Sequence, residues 1–251
     1  MHKKIFFISL ITTALLAGKA SAQVDTSFLL GYDFGSTDFD ESWVNPDNAT
    51  AGNFVSGAGM SIASSAVGAT NSDPWVSSAS TGDDSERAWF SDDVNSDTPD
   101  NSILIDKYVE FSISADTGYL VNPSQIGFLA LTDNNNSPES YQLWISTDGF
   151  DGFDGTETAS TTMLGDGSVS SERSGAAPQD FELFTHDITS ISAEQVSARV
   201  YWHAGSGTGS AAIRMDKVYM SGTTVIPEPG TCAAIFGFLA LGIVFWVRRR
   251  K

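Results

Sequence analysis

The sequence predicts an all-β fold, an antiparallel β-sandwich. Three observations predict it: apolar residues alternate at period two in several short runs, turn-forming residues separate those runs, and long amphipathic helical patterns are few between residues 23 and 224. Tyr108–Ser114 places Val109, Phe111 and Ile113 on one face. Tyr141–Ser146 does the same with Tyr141, Leu143 and Ile145, and Gln195–Trp202 with Val196, Ala198, Val200 and Trp202. Pro123-Ser124, Asp133-Asn134-Asn135-Asn136 and Asp148-Gly149 supply the breaks between runs.

The remaining elements follow in chain order. Residues 1–22 read as a secretion signal. His2, Lys3 and Lys4 give a basic start, Ile5–Ala17 is almost wholly apolar, and Ala20-Ser21-Ala22 is a small-x-small cleavage site that leaves Gln23 as the mature N-terminus. Ser27–Phe34 is a more continuously apolar strand. From Gly35 to Asp106 only short apolar islands are visible, at Phe54-Val55, Trp75-Val76 and Ala88-Trp89-Phe90. Gln125–Leu131 reads as a buried strand. Asp148–Gln179 is mostly polar, with one strand expected near Thr161–Leu164. In the last strand Ile213 and Met215 share one parity and Val218 and Met220 the other, so either a bulge near Asp216-Lys217 reconciles them or half of a regular strand is solvated.

The exported body spans 23–224. Residues 225–251 form a second hydrophobic unit. Cys232–Val247 carries no charge and spans about 24 Å as a helix, slightly short of a bilayer core, and Gly230 and Thr231 can extend it, giving a single transmembrane helix over 231–247. Arg248, Arg249, Arg250 and Lys251 resist translocation and mark the cytoplasmic side, so the body lies outside.

Charge excludes one class of partner. Of 13 Lys and Arg, three lie in the signal and four in the tail, leaving six; 30 of the 31 acids lie in the body, for a net charge of −24. Phosphates are repelled, so no nucleic-acid partner is expected. The one cysteine, Cys232, lies in the C-terminal helix, which leaves the body without a disulfide, a thiolate zinc site or a catalytic thiol.

Catalytic signatures are sparse. Outside the signal the histidines are His186 and His203, and Gly205-Ser206-Gly207-Thr208-Gly209 reads as a flexible turn rather than a nucleophile elbow. Phosphate-loop and dinucleotide fingerprints are absent. A hydrolase using two carboxylates stays open as an alternative. No cofactor is assigned. A structural calcium is the better metal candidate, because hard cations want carboxylate and carbonyl oxygens. Asp148-Gly149-Phe150-Asp151-Gly152-Phe153-Asp154-Gly155 spaces its acids by three and reads chiefly as a glycine-rich hairpin loop. Trp202 shares the apolar face of its strand and reads as core. Trp144, opposite Leu143 and Ile145, is the candidate for stacking on sugar, against core or a second sheet.

Pro227-Glu228-Pro229 stands directly before the apolar helix. Two prolines keep the peptide extended and threadable by a protease. The order of Pro-Glu-Pro, short apolar helix and Arg-rich end resembles the PEP-CTERM sorting signal, over about 25 residues. A segment of this kind is also catalogued under an ice-binding C-terminal label, but the chain has no regularly repeated Thr arrays. The resemblance implies export by a Gram-negative-type bacterium, signal peptidase and an exosortase as partners, anchoring in the inner membrane before sorting, and then a place at the cell surface or in the extracellular matrix. The body series at Tyr108–Ala115, Gly118–Val121, Ile126–Leu131, Tyr141–Phe150 and Ile213–Gly222 is similar to the jelly-roll, galactose-binding-like modules of such proteins. That likeness implies that Ser27–Phe34 lies beside Ile213–Ser221, and it adds weight to calcium near the terminal strands, at Asp33 and Asp216. The reading overall is a non-enzymatic, exosortase-sorted protein associated with exopolysaccharide or envelope, with a carbohydrate-binding module and a secreted polysaccharide hydrolase as alternatives.

Overall fold

The computed structural model describes residues 26–32, 42–45, 48–65, 88–92, 98–132, 140–170, 181–203 and 212–227. Residues 26–224 form one compact unit; residues 1–25 and 225–251 group as a second, described at 225–227. In chain order the strands are β1 (Thr26–Tyr32), β2 (Ser42–Asn45), β3 (Ala49–Ala51), β4 (Val55–Ser56), β5 (Ser61–Ser65) and β6 (Ala88–Asp92). A short helix α1 (Pro99–Leu104) follows, then β7 (Tyr108–Ala115), β8 (Leu120–Thr132), β9 (Ser140–Ser146), β10 (Thr161–Ser168), β11 (Glu182–Asp187), β12 (Gln195–His203) and β13 (Ala212–Val225).

Two antiparallel sheets result. One runs β11-β8-β13-β1-β2, with β6 also on β13 and β5 on β6; the other runs β10-β9-β12-β7-β3, with β4 also on β7. Period two places the core. Val109, Phe111 and Ile113 of β7, Tyr141, Leu143 and Ile145 of β9, and Val196, Ala198, Val200 and Trp202 of β12 all point into one buried cluster. From the other sheet Phe28, Leu30 and Tyr32, Ile126, Phe128 and Ala130, and Met220 enter the same cluster. Rings interlock across the gap, Phe128 with Tyr141 at 5.1 Å and with Trp202 at 6.0 Å, and Tyr32 with Phe111 at 6.1 Å. Each such side chain contributes about 1.5–3 kcal/mol by leaving water. The Tyr32 hydroxyl donates to the carbonyls of Gly52 and Ser112, at 2.6 and 3.2 Å, and so ties β1 to the opposite sheet.

β13 bends where its parity changes. Ala212–Met215 pairs with β6, and Val218–Thr224 pairs with β1. Between them Lys217 takes a left-handed φ of 49°. That one turn of backbone brings Ile213 and Met215, and then Val218 and Met220, to the same core, all fully buried. The terminal strands are neighbours as the resemblance implied, but β1 meets the second half of β13, with Thr26 opposite Thr224 and Tyr32 opposite Val218.

Three elements differ from the sequence reading. Pro123-Ser124 is not a break but part of β8. Proline lacks an N–H, and it is accommodated because the ladder to β11 begins only at Gln125, opposite Asp187. Within the expected long irregular stretch lies α1, whose Thr98 Oγ1 accepts from the Asn101 N–H at 3.2 Å, with Pro99 in the first turn. The third is β11, an edge strand of alternating half-buried and exposed residues.

Candidate functional site

The outer face of the β10-β9-β12-β7-β3 sheet carries the densest grouping of chemistry. Side chains of opposite parity to the core line up there in rows set by the register. Trp144 of β9 stands opposite Arg199 of β12, and Arg199 opposite Glu110 of β7. The next row is Gln142, Tyr201 and Tyr108, and the row on the other side is Ser146, Ser197 and Ser112.

Arg199 is the hub. Its Nε donates to Glu110 Oε2 at 2.7 Å, and its Nη1 donates to the Tyr201 hydroxyl at 3.3 Å. The guanidinium lies 4.0 Å from the centre of the Tyr108 ring and 4.3 Å from that of Phe150, so it is held between two aromatic faces. Burial works against its charge, but the hydrogen bonds to Tyr201 and Glu110, with the charges of both, outweigh it and hold the pKa above the ordinary Arg value. Burial pushes the Tyr201 phenol up to about 12, against the pull of Arg199.

The loop between β9 and β10 covers this face. Phe150 and Phe153 pack with Trp144, Tyr201 and Ile103 of α1 into a satellite apolar cluster. Trp144 meets Phe153 at 4.9 Å, and Phe153 meets Tyr201 at 5.9 Å. Trp144 therefore leaves the inter-sheet core, as its parity requires, yet is 4% exposed. The loop's two phenylalanines occupy its outer side. Its indole N–H donates to Gln142 Oε1 at 3.2 Å.

Local hydrogen bonds shape the loop. Ser146 Oγ donates to Asp148 Oδ1 at 2.6 Å and accepts the Phe150 N–H at 3.0 Å, while Ser160 Oγ donates to Asp148 Oδ2. These bonds, first Ser146 and then Ser160, hold the Asp148 carboxyl below the usual range. Gly149, Gly152 and Gly155 have φ of 75°, 63° and 91°, the left-handed conformations that glycine accepts without steric cost. The Asp-Gly-Phe stretch is thus a hairpin loop, with β9 and β10 antiparallel on either side. Among the described residues, no group of three or more His, Cys, Asp or Glu could hold a metal ion.

The two histidines lie elsewhere. His186 of β11 shares a 2.8 Å hydrogen bond with the Tyr141 hydroxyl, and His203 ends β12 in a buried position. Burial lowers both pKa values. Of the sequence-assigned residues, Pro227 is exposed two positions past the end of β13. Ala20, Ala22, Gln23, Asp33, Glu228, Pro229, the apolar segment 231–247 and Arg248–Lys251 lie outside the described residues, as does the side chain of Asp216. Among the described residues no helix is long and apolar enough to cross a membrane. The sequence reading missed Arg199, Glu110 and Tyr108. Their signal was parity: all three occupy the off-core positions of strands that were themselves recognised.

No protein-family model matches the chain, and no curated protein matches it. Among solved structures it is similar to the family 29 carbohydrate-binding module CBM29_1 from Piromyces equi, with TM-score 0.34 and 9% identity over 80% of this chain and 91% of that one. It is also similar to the K1 cleaved adhesin domain of Lys-gingipain from Porphyromonas gingivalis W83, with TM-score 0.35 and 13% identity over 76% and 96%. A third is the CBM22-1 xylan-binding domain of Xyn10C from Paenibacillus barcinonensis, with TM-score 0.33 and 11% identity over 78% and 93%. Scores and identities this low carry no functional argument. The chain's own two sheets and their shared core define it as an antiparallel β-sandwich module.

Proposed function

We propose that this protein is an exported, non-enzymatic component of the cell surface or extracellular matrix, sorted by an exosortase and associated with exopolysaccharide. One observation carries the reading: Pro227-Glu228-Pro229, the apolar segment 231–247 and Arg248–Lys251 follow one another in that order behind an N-terminal signal sequence. The exposure of Ile226 and Pro227, directly after β13, supports it, since a protease needs extended and accessible peptide. The engagement of His186 by Tyr141 and of Glu110 by Arg199 supports a binding rather than a catalytic body. Mass spectrometry of the mature protein tests the sorting: the expected C-terminus precedes Arg248, and an intact Arg248–Lys251 tail on mature protein overturns it.

A second reading, a carbohydrate-binding module with ligand specificity, is favoured by the aromatic and hydrogen-bonding rows around Arg199. Binding of residues 23–226 to a glycan array promotes it; turnover of a polysaccharide would instead promote the hydrolase.

A further inference from the structure

The Phe150–Phe153 turn has the features of an internal guest. Its two rings rest on Trp144, Tyr201 and Arg199, on the side of the sheet away from the main core. The closed position is conformationally costly, because Phe150 has a φ of 63°, where a bulky side chain is a steric outlier. The turn is fastened at its foot by Asp148, Ser146 and Ser160, with the Phe150 N–H donating to Ser146 Oγ and Asp148 Oδ1, whereas the bonds beyond Phe150 are internal: the Phe153 N–H to the Phe150 carbonyl, and Thr156 to Asp154. Next to this foot, opposite Ser146, the Ser197 hydroxyl is 1% exposed and finds no partner in the structure. A buried hydroxyl without a partner calls for an explanation, and a ligand hydroxyl is one that fits.

We propose that the turn is a displaceable strap, and that the face beneath it takes a ring of a neutral polysaccharide in place of Phe150 and Phe153. This rests on the reading that the sandwich associates with polysaccharide. Trp144 and Tyr201 supply the stacking surfaces, and Glu110, Arg199, Gln142 and Ser197 supply donors and acceptors at the ring's edge. Charge selects the class of sugar. The positive charge of Arg199 is already met by Glu110, and the exposed Asp148, Asp151, Asp154 and Glu157 lie on or beside the strap. A uronate or sulfated chain is repelled, and a neutral one is not.

The test uses the full-length protein with xylohexaose, cellohexaose and mannohexaose as neutral probes and a hexagalacturonate as the charged comparator. Hydrogen exchange across residues 149–155 is expected to rise on saturation with the neutral hexaose that binds. Phe153→Ala, which weakens the competing strap, is expected to bind that hexaose about tenfold more tightly, since apparent affinity scales with the open fraction. Binding by the wild type with no gain in Phe153→Ala and no rise in exchange overturns the strap and leaves the polysaccharide reading standing. Preference for the galacturonate overturns the assignment to neutral sugar. Failure of every probe with both proteins, each folded by circular dichroism, overturns the platform and the polysaccharide reading together; the sorting reading is judged apart, by the mature C-terminus. If Phe153→Ala does not fold, exchange in the wild type decides, and unchanged or slower exchange at 149–155 on saturation overturns the strap.

Discussion

Arg199 is the residue whose replacement should separate charge from shape at the outer face. Arg199→Lys keeps the positive charge but loses the flat guanidinium between Tyr108 and Phe150, at 4.0 and 4.3 Å, and the Nε donor to Glu110. Two cation–π faces at about 0.5–1 kcal/mol each put the loss at about 1–2 kcal/mol. Arg199→Ala also strands the Glu110 carboxylate. Breaking a fully buried pair costs about 3–5 kcal/mol, and partial solvent screening lowers that to about 2–3 kcal/mol here. The two side chains retain 15% and 19% exposure, which is why the discount is modest. For a sandwich of this size each kcal/mol lowers Tm by about 2–4 °C. Urea denaturation of the wild type, both Arg199 variants, Glu110→Gln and the Arg199→Ala/Glu110→Gln double variant measures these terms. The double variant is expected to be more stable than the sum of the single effects by about 1 kcal/mol or more. Wild-type stability in Arg199→Lys would refute the role of the bracketing rings, and strict additivity would refute the coupling to Glu110.

Two further outcomes are expected. In Gly127→Ala the new Cβ overlaps the Cε1–Cζ edge of the Tyr219 ring, 2.5 Å from Cζ and 2.7 Å from Oη, so the ring must leave along with its 2.7 Å bond to Gln125 Oε1; a loss of about 2–4 kcal/mol is expected, less than additive with Tyr219→Ala, and a variant as stable as wild type would rule the contact unimportant. His186 is half-buried, and burial holds its folded pKa below the ordinary value of about 6.5, so the unfolded chain binds the proton more readily; its contribution is complete above that pH and is lost as pH falls through the folded pKa, and His186→Gln should flatten the stability profile on the acid side of that ordinary value, with an unchanged slope assigning it elsewhere.

Strands whose two faces differ were legible in the sequence, because burial on one face imposes period two. β7, β9 and β12 are of this kind, and the parity switch between Met215 and Val218 located the bend of β13. Elements held by backbone contact were not. β3 and β4 have three and two residues and are fixed by pairing to β7, with Gly52 and Gly57 N–H groups donating to Ser112 and Tyr108 carbonyls; no apolar period is needed for that. α1 had a legible start in Thr98-Pro99-Asp100, but only Ile103 of its apolar residues is buried, so no helical stripe marks it. The candidate site was half legible: parity put Trp144 outside the core, whereas its cover comes from Phe150 and Phe153, in a stretch whose glycines and aspartates read as a solvated turn.

The central position of β13 has a consequence for when this protein becomes a folded object. The strand completes the larger sheet, with β8 on one flank and β1 on the other, and among the described strands it is the last in chain order. Until Val218–Thr224 emerges, the first strand lacks its longest partner, nearly two hundred residues downstream. Pairings so distant in sequence close slowly. A product truncated before Ala212 therefore holds the larger sheet in three unjoined pieces, β11-β8, β1-β2 and β5-β6, each with a raw edge. Completion of the sheet thus reports that translation has passed Ala212–Val225.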